Sequence, residues 1–593
     1  MALTHACKNC SQSFEITDDD LKFYDKISPV FNGKKYSIPP PTHCPDCRQQ
    51  RRLAACNEMN LYRGECDLCH CFTLTQFPPT EPRQPNYCRE CWHSDKWDPC
   101  DYGRDFDFSR GFFEQIRDLQ RATPAQALHI DGTVQNSDYM HYAGSSKNSY
   151  LICHADFCDD CYYGYGFKKN VSCVDGFYNL HCELCYDCVD VHKCYDLKAC
   201  QDCSRCFSSA FLRDCIGCKN CFLCVGLRNK EYCFENKQLT KEEYLKRISQ
   251  INTGSYAEYQ KLKTRLHELE LKHTFKCFHG HNTENSLGDY LNNCKNAKYC
   301  FDCEDVEDAK FCYQMVLGSK DIYDIYQYGT NLQQSYESAI CGQDGYHIYF
   351  TQNGAMNSRE LFYCWCTEHA KNCFGCCSIH HKQFCILNKQ YTEKEYNELV
   401  PKIIEHMMKT ASPRGERGSG FASPSDAELT NKEWGEFLPV KISSFGYNKT
   451  LAQMYYPLTR EKVLEKGWAW DDFEPPQPET SATAKVTKKI KAEELPDNIK
   501  DVKDEILNNA IECKTSKKLF KITAQELKFY RNQNVPLPRK CFAERHFERF
   551  LKRNPRKFWK RNCGKCGGEI QTTYPPNRPE TVYCETCYLQ TVY

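Results

Sequence analysis

Twelve cysteines fall into six CxxC knuckles, and four-thiolate metal binding is the chemistry that this spacing serves. The knuckles are Cys7-x2-Cys10 with Cys44-x2-Cys47, Cys66-x2-Cys69 with Cys88-x2-Cys91, and, near the other end, Cys563-x2-Cys566 with Cys584-x2-Cys587. Each pair of knuckles supplies four thiolates, the closed tetrahedral set of a structural zinc site. About three zinc ions per chain are therefore expected. Cys56 and Cys71 lie near these sets, but their spacing fits less well. A metal held by four thiolates keeps no open position for a substrate, so these sites point to structure rather than catalysis.

The second chemistry-bearing stretch is RKCFAERHFERFLKRNPRKFWKR at 539–561. Arg539, Lys540, Arg545, Arg549, Lys552, Arg553, Arg556, Lys557, Lys560 and Arg561 stand there against Glu544 and Glu548, with Phe547, Phe550, Phe558 and Trp559 interleaved. Cations neutralise phosphates and aromatic rings stack on unpaired bases, so the segment is a candidate surface for RNA or single-stranded DNA. The bland alternative is a helix with one buried aromatic face and one solvated basic face. Arg48, Arg51 and Arg52 follow Cys47 in the equivalent place and form a weaker second patch.

The elements that must position these groups announce themselves through a rhythm of three. Cys158, Cys161, Cys173, Cys182, Cys185, Cys188, Cys194, Cys200, Cys203, Cys206, Cys215, Cys218, Cys221, Cys224 and Cys233 share one phase, with Cys153 off it. The other positions of that row are mostly small or apolar, Lys230 excepted, so the row reads as inward-facing. An α-helix makes an i, i+3 row drift around its axis, strands alternate with period two, and 3₁₀ segments stay short. A β-solenoid whose coil length is a multiple of three remains.

The solenoid is doubled in the sequence. KNCFLCVGLRNKEYCFENKQLTKEEY at 219–244 returns as KNCFGCCSIHHKQFCILNKQYTEKEY at 371–396, each ending in a polar helix, 240–272 and about 392–410, expected to cap its solenoid. Between the copies Cys215 becomes Thr367, Cys218 becomes Ala370 and Leu212 becomes Cys364. Such exchanges favour buried packing of these thiols, with additional metal sites or disulfides as alternatives. Cys182-x2-Cys185-x2-Cys188 and Cys215-x2-Cys218-x2-Cys221 imitate ferredoxin runs but lack the fourth cysteine and proline of that motif. Tyr162, Tyr186, Tyr195, Phe207, Phe222 and Phe234 follow cysteines and are expected either to form an exposed ladder or to pack on a neighbouring domain. His154, His181 and His192 lie outside ligand spacing.

The ends repeat too: SFEITDDDLKFY at 13–24 matches LFKITAQELKFY at 519–530. In that alignment Cys10 becomes Ser516 and Cys47 becomes Glu544, so the Cys513–Cys541 copy has lost its site and must fold through Phe520, Ile522, Leu527, Phe529 and Tyr530.

CKNCSQSFEITDDDLKFYDKI with PTHCPDCRQQRR resembles a small probable zinc-ribbon domain. CFLCVGLRNKEYCFENKQLTKEEY and NCGKCGGEIQTTYPPNRPETVYCETCY extend the likeness to the long cysteine-rich proteins of candidate-phyla-radiation bacteria. The resemblance implies zinc and a bacterial cytoplasm; no biochemical role is established for that family, so it transfers no active site.

The fold class expected is mixed: zinc-ribbon or treble-clef-like terminal modules flanking a duplicated cysteine-rich β-solenoid with helical caps. Its parts are a double zinc-ribbon module at 1–95, a connector at 96–133, solenoid copies at 134–272 and 273–410, a linker at 411–429, a small aromatic-rich element at 430–473, a linker at 474–500, and the C-terminal module with its basic helix at 501–593. The 45 cysteines in 593 residues, with no apolar signal segment at MALTHACKNC and no long apolar run, fit a reducing cytoplasm. The 78 basic residues balance 78 acidic ones, so any nucleic-acid affinity is local. No P-loop, GxSxG or HExxH motif is present, and no small-molecule substrate or membrane is indicated. A zinc-binding, non-enzymatic protein that binds RNA, single-stranded DNA or a ribonucleoprotein such as the ribosome is the expected function. The alternatives are a thiol-rich redox, metal-storage or iron–sulfur protein and a protein-interaction scaffold built on the solenoid.

Overall fold

A computed structural model of the chain describes residues 3–80, 82–409, 433–474 and 488–592. The linker expected at 411–429, and 475–487 of the one expected at 474–500, lie outside the described residues. The chain forms two units, each assembled from two separated stretches: Met1–Leu128 with Phe278–Phe473, and His129–Cys277 with Glu474–Tyr593. Each terminal cysteine module thus belongs with the solenoid farther from it along the sequence, an assortment that a segment-by-segment reading did not foresee.

The period of three has a backbone cause. In the His129–Cys277 solenoid the strands are parallel with partners twelve residues apart, His141 with Cys153, Cys153 with Tyr165, Phe177 with Val189 and Val189 with Gln201. A coil is therefore four triplets, each an inward residue, an extended residue and a corner residue. From Asn136 to Glu235 every third residue has positive φ, with Gly166, Gly217 and Gly226 among side chains as large as Tyr163 and Phe211. Left-handed backbone is costly for L-residues, and Asp and Asn tolerate it best, which accounts for Asp187, Asp190, Asp196, Asp202 and Asp214 at corners. Coil-to-coil amide bonds, such as Lys147 N–H to Cys158 O at 2.8 Å and Asp160 N–H to Lys147 O at 3.1 Å, hold the corners in place.

The in-phase cysteines form the buried core of this solenoid with Ala155, Phe167, Val191, Leu197 and Leu212. Lys230, the charged exception, is exposed in the last coil. Each inward thiol donates to the carbonyl two residues back, as Cys182 does to Leu180 at 3.3 Å and Cys203 to Gln201 at 3.3 Å. Many reach a second carbonyl nine residues on, as Cys182 does to Val191 at 3.4 Å. Ser146, Ser209 and, in the other solenoid, Thr367 make the same backward bond with a hydroxyl. Cysteine at these positions is a small buried residue that also satisfies a carbonyl, which is why serine, threonine and alanine replace it.

The Phe278–Phe473 unit carries the second solenoid, and the two together make about 21 turns. Its coils vary: Gly280 pairs with Leu291, Lys295 with Glu307, but Lys320 with Gln333 and Gln333 with Tyr346, spacings of eleven, twelve and thirteen. Each thirteen-residue coil moves the inward phase by one. Cys312, Cys341 and Cys364 therefore lie in three different phases of the sequence yet share one core.

Both solenoids end in an antiparallel hairpin followed by a helix with a capping box, Thr240 with Glu243 and Thr392 with Glu395. Glu393–Met408 buries Tyr396, Val400, Ile403, Ile404 and Met407. The cap expected at 240–272 is two helices, Lys241–Ile248 and Tyr256–Glu270, and the second lies along the solenoid flank, with Tyr259 against Tyr186 and Phe211. The connector contains a helix, Phe112–Ala122, whose first amides donate to the Glu433 carboxylate at 2.9 and 2.8 Å. The aromatic-rich element has short helices at Leu451–Tyr455 and Arg460–Glu465. No helix among the described residues is long and apolar enough to cross a membrane.

Candidate metal centres and the basic segment

Three groups of four thiols converge: Cys7, Cys10, Cys44 and Cys47; Cys66, Cys69, Cys88 and Cys91; and Cys563, Cys566, Cys584 and Cys587, the sulfurs of each set lying within 4.8 Å of one another. These are the twelve residues the knuckle spacing selects. Cys10 and Cys44 are 3.7 Å apart, Cys69 and Cys88 3.8 Å, and Cys566 and Cys584 4.0 Å. Sulfurs at the corners of a tetrahedron with bonds of about 2.3 Å stand roughly 3.8 Å apart. The thiols fit a metal of that size.

Local folding explains the convergence. The first knuckle of each set closes on a left-handed residue, Ser11, His70 or Gly567. In the two N-terminal sets the second knuckle opens a helix, with Cys44 and Cys88 at the N-caps of Pro45–Leu53 and Arg89–Trp92. Cys584 immediately precedes the helix Glu585–Val592. Helix N-termini favour thiolates. Amides also aim at the sulfurs: Cys88 N–H to Cys66 at 3.3 Å, Cys584 N–H to Cys563 at 3.2 Å, and the Asn9 amide to Cys47 at 3.3 Å.

The Cys513–Cys541 segment has a similar shape with only two thiols. Cys541 N–H donates to Cys513 at 3.3 Å, and Ser516 lies 3.6 Å from Cys541, where Cys10 approaches Cys44 in the intact copy. Phe520, Ile522, Leu527, Phe529 and Tyr530 are all buried, and the capping box Thr523–Glu526 repeats Thr17–Asp20.

The basic segment is not an open patch, and here the structure corrects the expectation. Arg545 and Arg549, from the helix Phe542–Leu551, both bind the buried Asp175 carboxylate at 3.0 Å, and Arg553 binds Asp190 at 2.9 Å. Arg539 is buried and donates to the carbonyls of Ala492 and Pro496. Lys552 approaches Asp187, which Lys263 binds at 2.8 Å. Burial alone raises the Asp187 carboxyl, but Lys263, Lys552 and Arg549 outweigh it and hold the group well below the usual carboxylate range. Lys540 pairs with Glu548, Lys560 with Glu569, and Arg561 donates to the carbonyls of Pro575 and Glu580. Lys557 is exposed above Trp559, and Arg556 is half-buried. Arg545, Arg549, Lys552 and Arg553 fasten the module to its own solenoid, while Arg539, Lys540, Lys560 and Arg561 are engaged within the module. The pattern was legible as a helix, but the carboxylates that receive it sit at solenoid corners far away in sequence.

The N-terminal patch behaves alike. Arg48 and Arg52 share Asp324 at 2.9 and 3.0 Å, and Arg51 binds Glu337 and Glu436 at 2.7 and 2.9 Å, all buried except the half-buried Glu436. Phe23 stacks on Tyr323 with ring centroids 3.8 Å apart, and Asp20 binds Lys310 at 2.7 Å. In the other unit Glu526, which aligns with Asp20, accepts from Tyr163 at 2.7 Å and Tyr530 at 3.0 Å.

The aromatic ladder divides. Tyr162, Tyr186, Phe222 and Phe234 are buried, whereas Tyr195 and Phe207 remain exposed. His154 is buried between Tyr142 and Tyr165, His181 is exposed and His192 half-buried. All 45 cysteines are free thiols, so the disulfide alternative finds no bond here. Neither a scan of protein-family models nor a search of curated proteins finds a match to this chain.

Proposed function

We propose that this is a zinc-structured, non-enzymatic binding protein of the bacterial cytoplasm, whose terminal modules brace a cysteine-cored solenoid and whose partner is RNA or single-stranded DNA, free or within a ribonucleoprotein. The observation that carries the metal reading is the convergence of three four-thiol sets. A four-sulfur tetrahedral site suits zinc or iron–sulfur chemistry, and the closed knuckle-and-helix geometry favours a single zinc ion. Bound there, zinc supplies cross-linking of each knuckle to its helix. The matched capping boxes and arginine pairs support an origin of the two modules by duplication, and zinc ribbons remain the closest description of them.

Metal analysis by mass spectrometry on anaerobically purified protein, with a parallel thiol titration, tests this. About three zinc ions and 33 remaining thiols, the 45 less the twelve ligands, are expected. Iron with sulfide, or many more metal ions, overturns the reading in favour of a cluster or storage protein.

A further inference from the structure

One corner of the His129–Cys277 solenoid stacks basic side chains in successive coils. Lys169, His181, Lys193 and Arg205 are twelve residues apart, all at left-handed corners and all exposed. Parallel pairing of Lys168 with Leu180, Leu180 with His192 and His192 with Ser204 fixes the register of the adjoining column. Neighbouring coils lie about 4.8 Å apart. Like charges at that spacing repel by about 1 kcal/mol per adjacent pair even in water, and ladders ordinarily avoid them.

Several other cations of this solenoid have partners: Arg213 binds Asp202 at 2.7 Å, Arg228 binds Asp214 at 2.9 Å, and Lys198 lies 3.4 Å from Asp196. Among the described residues no ion pair engages Lys169, Lys193 or Arg205. Asp156, at the upper end of the corner, lies 3.4 Å from Lys168. His192 registers the field: burial first, then Lys193, His181 and Arg205, lower it to about 4.

The next column supplies rings at the same coils. Tyr195 pairs in register with Phe207, and the two are 41% and 44% exposed. Glu183 and Val171 continue that column, followed by Asp159, so the positive charge is confined to the corner itself. Lys169, Lys193 and Arg205, which no ion pair engages among the described residues, beside an exposed aromatic pair match a chain that carries regularly spaced phosphates and unpaired bases.

We propose that this corner, Lys169, His181, Lys193 and Arg205 with Tyr195 and Phe207 alongside, is a binding surface for single-stranded nucleic acid. It rests on the nucleic-acid reading above but assigns the contact to the solenoid and not to residues 539–561. The strand runs along the coil axis, its phosphates on the cations and its bases over the two rings.

Fluorescence anisotropy of the full-length, metal-loaded protein with labelled oligouridylate and oligothymidylate, over a range of salt, is the test. The triple variant Lys169→Gln/Lys193→Gln/Arg205→Gln is expected to bind at least about tenfold more weakly, with a salt slope flatter by about two. Tyr195→Ala/Phe207→Ala is expected to lose about tenfold with its slope unchanged. Lys557→Gln/Lys560→Gln is expected to bind like the parent. All substituted side chains are exposed or half-buried at the surface, and unchanged thermal melts check that the variants fold. Parent-like binding by the triple variant overturns the proposal. So does heparin binding as tightly as the oligonucleotides with no effect of the ring substitutions, which makes the corner a general polyanion surface. Loss confined to Lys557→Gln/Lys560→Gln overturns the corner and leaves the nucleic-acid reading standing, whereas a parent that binds no oligonucleotide overturns both.

Discussion

The two units solve one docking problem with and without a complete four-thiol set. In each, two arginines four residues apart on one helix close on a single buried aspartate at a left-handed corner: Arg48 and Arg52 on Asp324, Arg545 and Arg549 on Asp175. The helix carrying Arg48 begins inside a complete four-thiol set, and the helix carrying Arg545 begins at Cys541, where only two thiols remain. The arginine clamp and the aromatic packing around it therefore suffice to hold a helix. A metal held by the four thiols would do something additional, fixing the knuckle from which the helix starts.

The sharpest break in the comparison is Cys47→Ser against Glu544→Ala. Cys47→Ser is expected to release one zinc ion and destabilise the Pro45–Leu53 module by about 5 kcal/mol or more, since structural zinc contributes folding energy directly. Glu544→Ala, at the aligned position, is expected to cost under about 1 kcal/mol. Metal content and hydrogen exchange of the two helices read both outcomes; equal effects would mean that the degenerate copy still binds a metal.

Next in size are the shared aspartates. Asp175→Ala removes the carboxylate that two buried guanidinium groups share, and Asp324→Ala does the same for Arg48 while Arg52 keeps Glu337 at 3.5 Å, losses of about 3–5 kcal/mol. The larger loss of helix protection is expected for Asp175→Ala, because no ion holds the start of Phe542–Leu551.

Acid separates the units more gently. His546 aligns with Gln49; its ring is buried against Tyr165, Phe177 and Phe542, and burial, with Arg549 adding to it, lowers it to about 3. The folded pKa is below the ordinary value of about 6.5, so the unfolded chain takes the proton first. The stability this histidine contributes is complete above pH 6.5 and is lost as pH falls from there toward 3, about 2 kcal/mol at pH 5. His546→Gln is expected to flatten the pH profile of hydrogen exchange in the Phe542–Leu551 helix, while the Pro45–Leu53 helix shows no such term from Gln49.

The smallest effect concerns the cores. Cys203→Ser keeps the backward bond to the Gln201 carbonyl, as Ser146 and Ser209 do at their own positions, and is expected to cost under about 1 kcal/mol in a thermal melt. A loss of several kcal/mol would mean that this thiol does more than pack.

These contrasts also show what the sequence made legible. Knuckle spacing is local, so all twelve thiols of the three sets were readable, and so was a solenoid from cysteines held in one phase. The thirteen-residue coils were not, because the two-residue slip that two such coils put between Cys312 and Cys341 reads as loss of rhythm rather than as longer coils. The fate of Arg545, Arg549 and Arg553 was hidden for another reason. A basic helix looks the same whether it meets phosphate or Asp175 and Asp190, and those aspartates stand out in sequence only as residues suited to left-handed corners. Tyr195 and Phe207 could not be told from Tyr186 and Phe222 for the same cause: the side that the module covers depends on where a distant segment lands.

The assortment of segments into units has a consequence for synthesis. Each unit joins stretches separated by the other's sequence, so its contact order is high. At about 5–20 residues per second, Arg48, Arg51 and Arg52 wait roughly 10–60 s between their own translation and the emergence of Asp324 and Glu337. During that interval the nascent N-terminal module has its four-thiol sets but not its solenoid, and its three arginines face the solvent, close to the polyphosphate surface of the ribosome that is making it.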